Sequence, residues 1–300
     1  MGKQGLEGGK VSDGIRLSRR PVQFLSLLVC NADLRGFAHG AARGTVSRSP
    51  LKRFCVPGLN CYSCPGAIAS CPLGALQNSL SQGRFPFFVT GLLLLAGAAL
   101  GRGVCGFLCP FGLIQELLYQ FPSPKLPKSP LTRRLSLLKY GFLILPVLAL
   151  PLGAFFVYGF GEPFFCKFLC PVGTLEAGLP LVLFNAAFRE LTGGLFFLKL
   201  VLLAVFAVSS VFIFRPFCRF ICPLGAVYSL FNRFALFGMA IEEKNCSHCG
   251  KCAAVCKMDT RRALDRECIR CGECIGICPT GVLSRKRIRG DQVKKTKENL

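Results

Sequence analysis

Eight cysteines in the last third of the chain stand at one repeated spacing. Cys246, Cys249, Cys252 and Cys256 read Cys-x2-Cys-x2-Cys-x3-Cys, and Cys268, Cys271, Cys274 and Cys278, followed by Pro279, repeat it. Three thiolates two residues apart wrap one corner of an iron–sulfur cubane, and the fourth of each run reaches the other cubane. The expected ligand sets are therefore Cys246, Cys249, Cys252 and Cys278 on one [4Fe-4S] cluster, and Cys268, Cys271, Cys274 and Cys256 on a second. Zinc sites usually spread their ligands as two separated pairs, and disulfide frameworks belong to small secreted domains, so neither suits this compact spacing.

This stretch resembles the bacterial two-cluster ferredoxins from Cys246 to Pro279, which implies a small α+β fold. It departs from them at Lys257, where the first run usually has proline.

Further cysteines recur upstream as Cys105-x3-Cys109-Pro, Cys166-x3-Cys170-Pro and Cys218-x3-Cys222-Pro, and Cys71-Pro-Leu-Gly-Ala-Leu matches the second half of each as a fourth copy. After each Cys-Pro comes x-Gly and then small and aliphatic residues, which marks an internal repeat. Proline suits the first turn of a short helix, whose positive N-terminal end then faces the cysteine. Two cysteines four apart share one helical turn, but a cubane needs four ligands, so each pair must find another. Cys55, Cys61, Cys64 and Cys71, punctuated by Gly and Pro, read as a further metal-binding loop. That loop lacks a His after Cys61-x2-Cys64, which excludes a c-type haem attachment.

The elements that must hold these cysteines are apolar. Of 300 residues, 52% are hydrophobic and only 17% charged, against about 25% in a typical soluble domain. Uncharged stretches at Pro86–Leu100 and Tyr140–Phe160, and Gly193–Phe214 with Lys199 as its one charge, predict membrane spans. Pro146 and Pro151 should kink the second. Val22–Cys30 is too short to cross and reads as a weak span or interfacial helix; a cleaved signal peptide there would have a poor apolar core. The predicted fold is an all-α polytopic membrane domain, about four transmembrane helices with re-entrant Cys-x3-Cys-Pro helices, plus a C-terminal α+β two-cluster ferredoxin-like domain. The boundaries fall at 1–20 (a basic, disordered cytoplasmic leader), 21–237 (the membrane domain), 238–284 (the ferredoxin-like domain) and 285–300 (a basic tail).

A formal net charge of +22 does not imply nucleic-acid binding here, because the charges lie in loops beside apolar runs. Three spans between residues 86 and 214 put Cys105, Cys109, Cys218 and Cys222 on the side of the ferredoxin domain, and Cys55 to Cys71 with Cys166 and Cys170 on the other. The 161–192 loop carries only Lys167 and Arg189, which makes the ferredoxin side cytoplasmic and the protein multi-pass in the cell (inner) membrane. The loop over 35–84 is more basic than that placement wants, and Val172–Phe188 reads equally as a further membrane segment. Cys105, Cys109, Cys218 and Cys222 suffice for one cubane. For the other side two readings stay open: Cys166 and Cys170 with Cys71 and Cys64, leaving Cys55 and Cys61 spare, or Cys55, Cys61, Cys64 and Cys71 alone.

From Arg102 to Pro279 these motifs together resemble the polytopic ferredoxin-type membrane subunits of the periplasmic nitrate reductase system (NapH-like) and, more distantly, the NosR-type membrane electron-transfer regulators of nitrous oxide respiration. The resemblance implies an electron carrier on the quinol side. The extra cysteines at 55–71 and at 166 and 170 depart from that family and favour a path across the membrane. The expected function is a membrane relay between a cytoplasmic donor and the quinone pool or an external acceptor, with redox proteins as partners. A quinol dehydrogenase subunit and a redox sensor or assembly protein are the alternatives. With only His39 and His248 in the chain, a bis-histidine haem in the membrane is excluded, and no Gly-x-Gly-x-x-Gly follows a strand. Glu116, Glu162 and Glu176 each stand beside a cysteine motif, either as helix-end charges or as proton exchangers for a quinone.

Overall fold

The computed structural model describes residues 19–47 and 49–287. Within them the chain is mostly helical, with one two-stranded antiparallel sheet that pairs Phe237–Ile241 with Leu283–Arg287. Residues 1–18 of the expected leader and 288–300 of the expected tail lie outside the described residues. Arg19 and Arg20 open the first helix, Arg19–Cys30, and Arg285 to Arg287 complete the second strand.

Two helices, Pro130–Tyr158 and Gly194–Phe212, are long and apolar enough to cross a membrane, with mean hydropathies of 2.1 and 2.5. Ile144, Leu145, Phe156 and Val157 on one, and Phe197, Val201, Val205 and Val208 on the other, are exposed. Such outward apolar ladders suit hydrocarbon better than water. Phe87–Leu100 and Pro171–Phe184 are shorter apolar helices. At about 1.5 Å per residue, the 14 residues of Phe87–Leu100 cover about 21 Å, less than the ~30 Å of a hydrocarbon core.

The long helix starts ten residues before the uncharged stretch that marked it, because Ser129 and Thr132 form a reciprocal capping box with Pro130 in the first turn. At Pro146 the missing N–H interrupts the ladder, and the helix widens to a π-type turn over Leu143–Ala149 in which the Leu150 N–H reaches back to Leu145 O.

Each Cys-Pro acts as the sequence implies. Cys71, Cys109, Cys170 and Cys222 have extended backbones, and the following proline takes the first helical position in Pro72–Ser81, Pro110–Tyr119, Pro171–Gly173 and Pro223–Phe231. These four starts converge. One core contains Leu59, Leu73, Phe111, Phe165, Phe217 and Tyr228 together with Cys71, Cys105, Cys109, Cys218 and Cys222, and it continues into Met258 and Ile269 of the C-terminal part.

Buried charge ties the two parts together. Glu267 pairs with both Arg102 and Lys139, while Asp259 pairs with Arg219 at 2.7 Å and Arg133 at 2.9 Å. Asn232 adds neutral links, its Nδ2 donating to Asp265 O and Cys268 O at 2.9 Å. Burial alone would raise the Asp259 carboxyl, but hydrogen bonds from Thr132, Arg219 and Arg133 outweigh it and hold the group below its ordinary range. Three cations near the ends of the apolar stretches are turned inward: Arg102, Lys139 and Arg215 are fully buried.

Candidate metal centres

The structure brings Cys105, Cys109, Cys218 and Cys222 together. All four are buried; Cys222 has Cys218, Cys105 and Cys109 as electrostatic neighbours, and Cys109 has Cys218 and Cys105. Two buried guanidiniums brace this set in a reciprocal way. Arg102, three residues before Cys105, donates to Cys218 O at 3.2 Å, and Arg215, three residues before Cys218, donates to Cys105 O at 2.5 Å. Arg215 takes a left-handed backbone, φ 50°, to make that reach, and its charge is met by Glu116 at 2.6 Å.

A second set forms from Cys61, Cys71, Cys166 and Cys170. Cys166 has Cys170, Cys71 and Cys61 as electrostatic neighbours, and a Cβ placed on Gly173 would lie 3.6 Å from Cys61 Sγ. The repeat had pointed to Cys64 as the nearest upstream thiol, but the structure puts Cys61 there. The chain turns between them, with Cys64 N donating to Cys61 O and Ala67 N to Cys64 O, so the Cys64 thiol faces Asn31 Oδ1 at 3.8 Å. Glu176 accepts from Cys61 N at 2.6 Å and holds that residue over the 171–184 helix. Cys55 lies against Ser70 Oγ at 3.4 Å.

In the C-terminal part, Cys256, Cys268, Cys271 and Cys274 line one cavity, and Cys252, expected in the other set, lines it with them. Cys246, Cys252 and Cys278, together with Cys274, pack around Met239, Val282 and Leu283, while Cys249 is exposed.

The donor sets fit iron–sulfur cubanes. Burial pushes the Cys109 thiol up to about 12, with Cys218 and Cys105 adding to it, and the Cys274 thiol to about 12, with Cys268, Cys271 and Cys256 adding. Crowded buried thiols resist ionising until a cationic centre joins them. Among the described residues, no three His, Cys, Asp or Glu side chains converge on a point that one metal ion could occupy. A cubane places each thiolate on its own iron, so its ligands stand farther apart than those around a single zinc.

The sets are also neighbours of one another. Phe165, beside Cys166, lies 6.5 Å from Phe217, beside Cys218, between ring centroids. Tyr228 is fully buried with Cys71, Cys105, Cys109 and Cys222 around it, and its hydroxyl donates to Pro57 O at 2.8 Å. Toward the C-terminal cysteines the approach is closer still, since a Cβ on Gly106 would drive into Ile269 O, next to Cys268. Gly106→Ala is expected to cost about 1–3 kcal/mol and lower the thermal midpoint in detergent. Gly91→Ala, which meets nothing within 4 Å, should be neutral or stabilising by up to about 1 kcal/mol. Equal midpoints for the two variants would remove the close approach.

The 4Fe-4S binding domain family matches residues 82–129, 143–179 and 195–241. Each match holds one Cys-x3-Cys-Pro, so the family is carried by the repeats rather than by the two terminal cysteine runs. The chain is similar to an uncharacterised protein of Methanocaldococcus jannaschii, 30% identical over 200 residues that cover 64% of this chain and 74% of the relative. It belongs to the ferredoxin-type 4Fe-4S family of NosR- and NapH-like proteins. Other members are the regulatory protein NosR of Stutzerimonas stutzeri, 30% identical over 53% of this chain and 20% of that protein, and the methylamine utilization ferredoxin-type protein MauN of Methylorubrum extorquens, 29% identical over 62% and 59%. The chain thus spans only part of the length of these relatives. No solved structure matches it.

The repeat runs on past its Cys-Pro-x-Gly signature to a sixth position, and of the four residues there only Glu176 stood out from the sequence. Counting from Cys71, Cys109, Cys170 and Cys222, that position is Gln77, Gln115, Glu176 and Tyr228. All four are hydrogen-bonding side chains, and all four reach another repeat or its neighbouring loop. Aligning the copies one turn further would have exposed them.

Proposed function

We propose that the chain is a multi-pass membrane protein that carries electrons between a donor at its ferredoxin-like face and a quinone or an acceptor reached from the other side of the bilayer. Four ligand sets do this: Cys246, Cys249, Cys252 and Cys278; Cys268, Cys271, Cys274 and Cys256; Cys105, Cys109, Cys218 and Cys222; and Cys61, Cys71, Cys166 and Cys170. When bound, [4Fe-4S] clusters supply reversible one-electron exchange. The protein's part is to hold the sets around one core, exclude water with Phe111, Phe165, Phe217 and Tyr228, and fix the charge around them with Arg102, Arg215 and Glu116. The observation that carries this reading is the single buried core running from Cys71 through Cys105 and Cys218 to Ile269.

Quinone chemistry gains support from Glu176. Glu116 is paired with Arg215 and Arg19, and Glu162 with Lys167 at 2.5 Å, whereas Glu176 has no cation in ion-pairing range among the described residues and one carboxylate oxygen without a hydrogen bond. A quinone takes two electrons and two protons to become a quinol, and a carboxylate beside the Cys61 set could hold such a proton.

Proteoliposomes with an impermeant reductant outside and an impermeant acceptor inside test the relay. Wild type should transfer electrons, and Cys166→Ala/Cys170→Ala should not. Equal transfer would sink the role of the Cys61 set, and transfer by neither protein without added quinone would restrict the chain to exchange on one face.

A further inference from the structure

Gln77 and Gln115 occupy the same repeat position and make the same pair of contacts. Gln77 Nε2 lies 3.3 Å from Cys166 Sγ while its Oε1 accepts from Phe165 N at 3.0 Å. Gln115 Nε2 lies 3.1 Å from Cys218 Sγ while its Oε1 accepts from Phe217 N at 3.2 Å. Each glutamine thus grips the first cysteine, and the residue before it, of the repeat two copies further along the chain.

The orientation of each amide is fixed by chemistry. A main-chain N–H only donates, so it must face the amide oxygen, which leaves the NH2 facing sulfur. Both side chains are buried to 1% exposure or less. Gln115 uses its remaining hydrogen on Phe111 O at 3.3 Å. A buried primary amide is costly unless its partners are supplied, and here the same partners are supplied twice at unrelated points in the sequence. At the same position of the other two repeats, Glu176 and Tyr228 bond to backbone, not to sulfur.

We propose that Gln77 and Gln115 are positioning residues that set the reduction potentials of the two membrane-domain centres, each through one N–H donated to a ligand sulfur, Cys166 and Cys218 respectively. The inference rests on the ligand sets given above. Reduction adds one electron to a centre and increases the negative charge shared with its thiolates. An N–H dipole aimed at the sulfur favours that reduced state and raises the potential. The apolar surroundings, Phe111, Phe165 and Phe217, leave little water to screen the dipole.

The test is an EPR-monitored redox titration of purified full-length protein, with iron and acid-labile sulfide counted in every sample. Gln77→Leu should lower the midpoint of one membrane-domain signal and Gln115→Leu that of the other. The expected shift is at least tenfold in the reduced-to-oxidised ratio at fixed potential, about 59 mV for a one-electron couple, with iron retained. Gln77→Met and Gln115→Met withdraw the donor while staying closer to glutamine in length and shape, so they should lower the same midpoints even if the leucine variants lose iron. Unmoved midpoints at full iron would overturn the proposal, as would loss of iron in both kinds of variant, which would make the glutamines structural only. A wild type holding about eight iron atoms, enough for two cubanes, would instead overturn the membrane-domain ligand sets on which the inference stands.

Discussion

Cys218→Ala is expected to cost the protein one whole cubane, about four iron atoms of about sixteen. The thiol is buried among Cys105, Cys109 and Cys222 and receives the Gln115 amide at 3.1 Å. Its loss leaves one iron corner open in a pocket with no spare thiol in the set. Cys61→Ala should remove the same amount from the other membrane-domain set, whereas Cys64→Ala and Cys30→Ala should retain all of it, because those thiols face Asn31 Oδ1 and Ser26 Oγ, each at 3.8 Å. Iron and acid-labile sulfide per chain decide the matter. Unchanged iron in Cys218→Ala would dismiss the set, and loss in Cys64→Ala but not in Cys61→Ala would reverse the choice between neighbours.

The second large effect belongs to Glu267. Its carboxylate is shared by Arg102 and Lys139, both fully buried, so Glu267→Gln strands two cations away from water. Breaking a buried pair by removing one partner costs about 3–5 kcal/mol. Thermal denaturation in detergent should show a clearly lower midpoint, and limited proteolysis should cut more readily between the membrane and ferredoxin-like parts. Burial alone would raise the Glu267 carboxyl, but Arg102 and Lys139 outweigh it and hold it below its ordinary range. For a depressed carboxylate the contribution is complete above the unfolded value, about 4.3, and fades as pH falls through the lower folded value. Wild type should therefore keep its advantage over Glu267→Gln from neutral pH down to about 4 and lose it below. A midpoint unaltered by the substitution would mean that the three charges do not hold the two parts together.

Local rules carried the reading where chemistry is local. The spacing of Cys268, Cys271 and Cys274, and the proline after Cys71, Cys109, Cys170 and Cys222, prescribe turns and helix starts within a few residues, and the structure contains those starts. The meeting of Cys105 and Cys109 with Cys218 and Cys222 was legible because each half-set needs a partner and the odd number of apolar stretches between residues 86 and 214 puts these two at the same end. The choice of Cys61 over Cys64 was not, since it depends on a turn between them and on Glu176, more than a hundred residues away. The buried ion pairs were not legible for a similar reason. Arg102 and Glu267 are 165 residues apart, and no spacing rule announces that a loop arginine will turn inward to meet a carboxylate from the far end of the chain.

The way the repeats interlock also governs the order in which the protein can mature during synthesis. The Cys61 and Cys71 half-set has to wait for Cys166 and Cys170, and the Cys105 and Cys109 half-set for Cys218 and Cys222. A ribosome that has made the chain as far as Phe160 has released both early half-sets but no complete quartet, so half-built chains cannot retain a cubane and assembly is all or none in each half. The same interlocking means that the chain, severed in the loop between Tyr119 and Pro130, would give two pieces that each carry half of both upstream sets, and that regain the iron of those two sets only when brought together in one membrane.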